Sequence, residues 1–312
     1  MFIIQFPGQG SQSVGMGASL AQEFEVAKRV FQEVDDALGQ NLSGLMFEGP
    51  IETLTLTENA QPAIMAASIA LLRVFEAEFG FDLSKAEFVA GHSLGEYSAL
   101  TAAGAFKLAD AAKLLKLRGQ AMQRATPAGI GAMASLIGPK TDLALAQAAA
   151  DEGSKIGVCT VANDNNAGNI VISGEAAAVA KAIEKAKELG ARAIPLNVSA
   201  PFHCPLMAPA AEEMKAALEN VEIQNPIVKL VPNVSLEPTQ DAQLIKKLLV
   251  EQVTGRVRWR ETIEFFGAQK IDTFLEIGAG SVLTGMSKRT APEAKHFALS
   301  SVEEFKKYQE TI

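Results

Sequence analysis

Gly91-His92-Ser93-Leu94-Gly95 stands between a strand-like run, Glu87-Phe88-Val89-Ala90, and a segment rich in helix formers, Glu96-Tyr97-Ser98-Ala99-Leu100. A Gly-x-Ser-x-Gly set at a strand-to-helix turn presents its serine as a nucleophile. Gly91 and Gly95 lack the Cβ atoms that would collide as the chain doubles back, so the turn pushes the Ser93 hydroxyl out at the N-terminus of the next helix. There the Leu94 amide and the positive end of the helix dipole can stabilise an oxyanion, as acyl transfer through a serine requires. A glycine turn with an incidental serine is the plainer alternative. The coincidence of strand, motif and helix speaks against it.

A serine hydroxyl needs a base to take its proton, and the chain has three histidines. His92 adjoins Ser93, but neighbouring side chains in a tight turn project apart. His203 lies in Pro201-Phe202-His203-Cys204-Pro205, a segment braced by two prolines. His296 lies in Lys295-His296-Phe297-Ala298. In α/β-hydrolases the triad histidine comes last in chain order, which favours His296 with Asp272 or Glu276 as its acid. Spacing leaves the choice open. A second loop, Pro7-Gly8-Gln9-Gly10-Ser11-Gln12, lets backbone amides approach a ligand, but lacks both the Gly-Lys-Ser/Thr ending of a phosphate loop and the dinucleotide glycine spacing.

The elements that must position these groups follow from length and pattern. A chain of 312 residues can bury one large core or two unequal ones. The net charge of −8 argues against nucleic acid as a partner. The longest run of apolar or small residues, 63–72, is too short to span a bilayer, and residues 1–6 read as a first strand and not as a signal peptide. Cys159 and Cys204 are the only cysteines, far apart and outside any metal or redox pattern, which suits a reducing cytoplasm.

Helical spacing runs over residues 18–38, 63–79 and 108–124, with residues 57–62 read as the loop that opens the second. The third carries Lys113, Lys116, Arg118 and Arg124 among its leucines. From about residue 128 to 198 the pattern is strand, helix, strand, strand, helix, strand: the order of a ferredoxin-like βαββαβ unit. We read it as a small domain inserted into a large one made of residues 1–127 and 199–312. Strands near 88, 227–231 and 273–277, alternating with helices, predict a mostly parallel sheet covered on both faces in the large domain.

Five motifs in order resemble the malonyl-CoA:acyl carrier protein transacylase family: Phe-Pro-Gly-Gln-Gly-Ser-Gln at 6–12, Gly-His-Ser-Leu-Gly-Glu-Tyr at 91–97, Arg118-Gly119-Gln120-Ala121-Met122-Gln123, Pro-Phe-His-Cys at 201–204 and Glu276-Ile277-Gly278-Ala279-Gly280. The resemblance spans almost the whole chain and departs at Ala279, where the family often has proline. It implies an α/β-hydrolase-like core with a ferredoxin-like insertion. It further implies Ser93 as nucleophile, His203 as base, Leu94 and Gln9 as backbone oxyanion donors, and Gln252 as the residue whose main-chain carbonyl orients His203. Arg118 is implied as partner of the malonyl carboxylate, which a guanidinium grips bidentately and a neutral acetyl group does not offer. Phe202, beside the base, occupies the position that in related polyketide acyltransferases separates malonyl from methylmalonyl users.

The implied enzyme is a cytoplasmic, monomeric S-malonyltransferase supplying fatty-acid synthesis. It takes malonyl-CoA and an acyl carrier protein, uses no metal or further cofactor since the coenzyme A thioester is a substrate, and has neither nucleic acid nor membrane as partner. Asn163, Asn165 and Asn166 are candidates for holding pantetheine. An acidic carrier protein calls for basic docking clusters, and three are expected: Lys113, Lys116 and Arg124; Arg256, Arg258 and Arg260, if that segment is extended; and Lys288 with Arg289. A serine hydrolase built on His296, and a docking module without turnover, are the rival classes.

Overall fold

Short apolar runs bounded by turns become the strands of two sheets in the computed structural model, which describes residues 1–127, 129–198 and 200–311. β1 (Phe2–Phe6) leads to α1 (Ala18–Glu23), α2 (Glu25–Leu38), α3 (Leu42–Glu48), α4 (Ile51–Thr55) and α5 (Thr57–Phe79). β2 (Phe88–Gly91), α6 (Gly95–Ala102) and α7 (Leu108–Arg124) follow. Next come β3 (Gly131–Ile137), α8 (Leu143–Gly153), β4 (Cys159–Asn166), β5 (Asn169–Glu175), α9 (Ala176–Glu188) and β6 (Arg192–Pro195). The chain returns through α10 (Ala208–Glu219), β7 (Lys229–Leu230), α11 (Ala242–Thr254), α12 (Trp259–Ala268), β8 (Thr273–Ile277), α13 (Val282–Thr290), β9 (Lys295–Leu299) and α14 (Val302–Gln309).

The large sheet has the order β7-β2-β1-β8-β9, and each of its strand pairings is parallel. β1 lies at its centre and, apart from the buried Gln5, is apolar on both sides because both sides are covered. Ile4 and Phe6 join the core built with α5, α6 and α7, while Ile3 faces Trp259, Phe266 and Phe274. The small sheet has the order β4-β5-β3-β6 with antiparallel pairings, as a ferredoxin-like unit requires. Its strands alternate: Ala134, Leu136, Ile170 and Ile172 pack under the alanines of α8 and α9, while Met133 and Val171 turn to the core shared with the large sheet. The expected boundary residues Ala128 and Ser199 lie outside the described residues. β4 is tied to the large sheet's side of the molecule. Its Asp164 N–H donates to the Val257 carbonyl at 2.9 Å, and the buried Asp164 carboxylate takes Arg260 bidentately, Oδ1 from Nε and Oδ2 from Nη2.

Two helical expectations change. The run 18–38 breaks at Phe24, whose extended backbone (φ −126°) turns its ring onto the core. α5 begins at Thr57, so residues 57–62 are helix and not loop. Pro62 sits one turn inside that helix and forfeits only the bond to the Glu58 carbonyl, and burial of residues 59–72 outweighs the loss. The consequence is functional, because Gln61 thereby faces the interior beside Arg118. No helix among the described residues is long and apolar enough to cross a membrane.

Candidate active site

β1 and β2 end side by side, and the chain leaving them builds the site at the carboxyl edge of the parallel sheet, the usual place for ligands in such sheets. Ser93 occupies the turn between β2 and α6 with φ 53°, left-handed backbone that a non-glycine residue adopts at a cost of about 1–3 kcal/mol. A Cβ on Gly91 would run into the Gly95 carbonyl, and one on Gly95 into the Phe6 carbonyl of β1, so the elbow admits neither. Asn233, on the loop after β7, clamps the turn: its Oδ1 accepts the Ser93 N–H at 2.8 Å and its Nδ2 donates to the Gly91 carbonyl at 2.8 Å. The Asn233 N–H in turn donates to the buried Glu96 carboxylate at 2.9 Å.

His203 also has positive φ, 57°, on the segment between β6 and α10. Its Nε2 lies 2.8 Å from Ser93 Oγ, and its Nδ1 lies 2.9 Å from the Gln252 main-chain carbonyl. A carbonyl only accepts, so Nδ1 carries the proton and Nε2 is free to accept the serine hydroxyl. Burial, and then the nearby Arg118 charge, push His203 down from its ordinary 6.5 to about 3, so the ring is neutral at physiological pH. The other histidines have different work. His92 is half-buried, reaches Asn165 Oδ1 at 2.9 Å with Nε2 and tilts against Trp259. His296 donates from Nε2 to the Ala291 carbonyl at 2.8 Å and stacks on Phe274. Asp272 takes the N-terminal ammonium, and Glu276 accepts the Leu283 and Thr284 amides at the start of α13. The alternative triad of His296 with either acid is therefore not assembled.

Arg118 comes up from α7 and is 1% exposed. Nη1 donates to Gln61 Oε1 at 2.8 Å, and Nη2 donates to Gln252 Oε1 at 2.8 Å and to Ser93 Oγ at 3.1 Å. The guanidinium also lies over the Tyr97 ring, 5.8 Å from its centroid. Among the described residues no carboxylate pairs with it. Glu96 stands behind Gln252, whose Nε2 donates to it at 2.9 Å, and burial raises that acid to about 7. Gln9, Ser93, Leu94, Arg118 and Phe202 line a cavity of about 300 Å³. The Gln9 side chain accepts from Thr57 Oγ1 at 2.9 Å, and Phe202 is 9% exposed at the wall. Of the three asparagines, Asn163 reaches this cavity, Asn165 holds His92, and Asn166 is buried elsewhere. A larger cavity of about 500 Å³ lies away from Ser93, against α1 and α14.

Gln61, Glu96, Thr57 and Asn233 are site residues that sequence reasoning missed. Glu96 carried a signal, being an acid in a helix otherwise built of small and apolar residues. The expected basic clusters are largely spoken for. Helix α12 starts at Trp259, so Arg260 does not share an extended face with Arg256 and Arg258. Those two pair with Glu261, and Arg260 pairs with Asp164 and Glu264. Lys116 pairs with Glu58 and Arg124 with Glu213. Lys113, Lys288 and Arg289 are exposed and have no acid within ion-pair distance among the described residues.

Comparison with known proteins identifies the family of the chain. The family described as acyl transferase domain matches residues 1–309. A malonyl CoA-acyl carrier protein transacylase from Haemophilus influenzae is 42% identical over 313 residues, covering 100% of this chain and 99% of that protein. The crystal structure of an acyl-carrier-protein S-malonyltransferase from Bartonella henselae superposes with a TM-score of 0.96 at 52% identity, covering 99% of this chain and 98% of that one. A malonyl-transacylase solved with a type II PKS acyl-carrier protein superposes with a TM-score of 0.95 at 42% identity, covering 100% of this chain and 99% of that one.

Proposed function

The chain belongs to the acyl transferase family and lies among its malonyl-CoA:acyl carrier protein transacylases, and on that premise we propose that it carries a malonyl group on Ser93 between the two thiols. Ser93 Oγ attacks the thioester carbonyl of malonyl-CoA while His203 Nε2 takes its proton. The backbone amides of Leu94 and Gln9 receive the developing oxyanion. The intermediate collapses as the C–S bond breaks, and His203 returns the proton to the departing coenzyme A sulfur. In the second half the phosphopantetheine thiol of the acyl carrier protein gives its proton to His203 and attacks the ester, and Ser93 Oγ leaves with that proton.

The observation that carries this reading is a buried cation held only by neutral groups, with one nitrogen 3.1 Å from the nucleophile. A buried charge without a counter-ion is costly unless a ligand supplies one. In a malonyl ester a single methylene separates the acyl carbon from the carboxylate, so the group that reads the carboxylate has to stand this close to the serine. An acetyl group would leave the guanidinium unpaired.

Phe202 crowds a branched α-carbon and favours malonyl over methylmalonyl. The same reading makes the enzyme a cytoplasmic monomer that feeds fatty-acid synthesis, with coenzyme A thioester as substrate and no further cofactor. It also treats residues 128–198 as an inserted domain, supported by the separate core of that unit. Intact-protein mass spectrometry after mixing with malonyl-CoA tests the mechanism. A malonyl adduct should form on Ser93, vanish in Ser93→Ala, fall by orders of magnitude in His203→Ala and persist in His296→Ala. No adduct on the wild-type protein refutes the covalent route.

A further inference from the structure

Arg118 is held unlike most buried arginines. A buried guanidinium ordinarily meets a carboxylate, because an unpaired interior charge costs several kcal/mol. Here amide oxygens stand in that place on both sides: Gln61 Oε1 on Nη1 and Gln252 Oε1 on Nη2, each at 2.8 Å. Both amides are locked in the orientation that turns oxygen to the arginine. Gln61 Nε2 donates to Thr57 Oγ1 at 3.0 Å, and the Thr57 hydroxyl in turn donates to Gln9 Oε1 at 2.9 Å. Gln252 Nε2 donates to Glu96 Oε2 at 2.9 Å and to the Ser93 carbonyl at 3.0 Å. The second lock also separates charges, since Gln252 stands between Glu96 and Arg118.

We propose that Gln61 and Gln252 form a neutral amide clamp that fixes the Arg118 guanidinium without neutralising it, so that its charge stays available for the carboxylate of the incoming acyl group. The inference rests on the reading of Arg118 as partner of the malonyl carboxylate. Gln61 and Gln252 are on this view positioning residues: they touch the reader of the substrate, and their neutrality sets how strongly a carboxylate-bearing acyl group is preferred. Glu96 fits the scheme. It is kept behind Gln252, and its burial outweighs the hydrogen bonds from Asn233 and Gln252 and the Arg118 charge, shifting it toward its protonated, uncharged form.

The discriminating substitution is Gln61→Glu, which keeps the shape and the oxygen facing Nη1 but supplies an internal counter-ion. Gln61→Met removes the hydrogen bond and leaves the site uncharged. Single-turnover acylation of Ser93 is followed by intact mass with malonyl-CoA and with acetyl-CoA, for wild type, both Gln61 variants and Arg118→Ala. The malonyl-to-acetyl rate ratio should fall about tenfold or more in Gln61→Glu, the scale of one lost charge-assisted contact. In Gln61→Met both rates should drop while the ratio stays within about threefold of wild type, because position is lost and charge is kept. A merely structural role for Gln61 moves both rates together in both variants. A Gln61→Glu protein with the wild-type ratio, alongside an Arg118→Ala protein whose ratio collapses, overturns the clamp and leaves the reading of Arg118 standing. An Arg118→Ala protein with an unchanged ratio overturns that reading itself, and the clamp with it.

Discussion

Removing the Asn233 side chain should unhinge the elbow, and the size of the effect follows from what Asn233 touches. In Asn233→Ala the Ser93 N–H loses its only side-chain acceptor in a half-buried turn, and the Gly91 carbonyl loses a donor where it is buried. Each orphaned group costs about 1–3 kcal/mol, so the change should destabilise the protein by roughly 2–6 kcal/mol. The backbone bond from Asn233 N–H to Glu96 survives and does not add to the loss. At about 2 °C per kcal/mol for a chain of this size, the melting temperature should fall by roughly 4–12 °C. Activity should suffer more than stability. Ser93 is held at φ 53° by these bonds, and relaxation of the turn would carry Oγ away from His203 Nε2, where a misplacement near 1 Å costs on the order of 10²-fold in rate. Asn233→Asp keeps the acceptor for Ser93 and loses the donor to Gly91, so its acylation rate should lie between the two. The assays are thermal melting and single-turnover acylation by malonyl-CoA. An Asn233→Ala protein that melts within about 1 °C of wild type and acylates at the wild-type rate would show that the strained turn is held by the backbone alone.

Two further outcomes are expected. Because burial and the Arg118 charge lower His203 from 6.5 to about 3, acylation should not decline with a midpoint near 6.5 on acidification. The unfolded chain binds this proton below 6.5 and the native protein does not until about 3, so the group's contribution to stability is complete above 6.5 and is lost as pH falls through that window. Denaturation midpoints at pH 7.5 and 5 together with acylation rates check both statements, and a rate that halves near 6.5 would show an ordinary imidazole. For the carrier protein, charge reversal at Lys113, or at Lys288 with Arg289, should raise its apparent KM, with an effect that shrinks in salt, while acylation by malonyl-CoA stays as it was. Steady-state kinetics at two ionic strengths test this, and unchanged carrier kinetics for every reversal would remove these residues from the docking surface.

The legible parts of the sequence were those governed by local rules. Apolar runs and helical spacing marked the small sheet and four strands of the large one, though not its edge strand β9, and Gly91 and Gly95 marked the elbow, since each depends on neighbours in the chain. The partner of Ser93 was not legible this way, because three histidines were available and the bond to His203 joins residues 110 apart. Family motifs supplied what spacing could not. Gln61 was hidden by a proline that ordinarily ends a helix and here sits within its second turn. Asn233 was hidden more completely: it lies on a loop with no motif, and its meaning comes from contact with a turn 140 residues away. The basic clusters were only partly legible for a related reason. Charge on a helix or strand is visible in sequence, but whether an acid such as Glu261 or Asp164 already holds it is a tertiary fact.

The way His203 is oriented bears on how the site discriminates. In a Ser-His-Asp triad the acid both aligns the imidazole and stabilises the imidazolium that forms when serine gives up its proton. Here a main-chain carbonyl does the aligning, and it brings no charge. Arg118, with one nitrogen 3.1 Å from the same serine oxygen, opposes the imidazolium, and Glu96 stands behind Gln252. On the proposed mechanism the protonated base is therefore least favoured when the pocket holds an acyl group without a charge. A malonyl carboxylate seated on Arg118 offsets that field at the moment the imidazolium forms. The carboxylate then contributes twice, once to binding and once to the transition state, and only the second contribution raises the rate of the chemical step. A salt-bridged arginine would have forgone this, because an internal acid would offset the field for every acyl group alike.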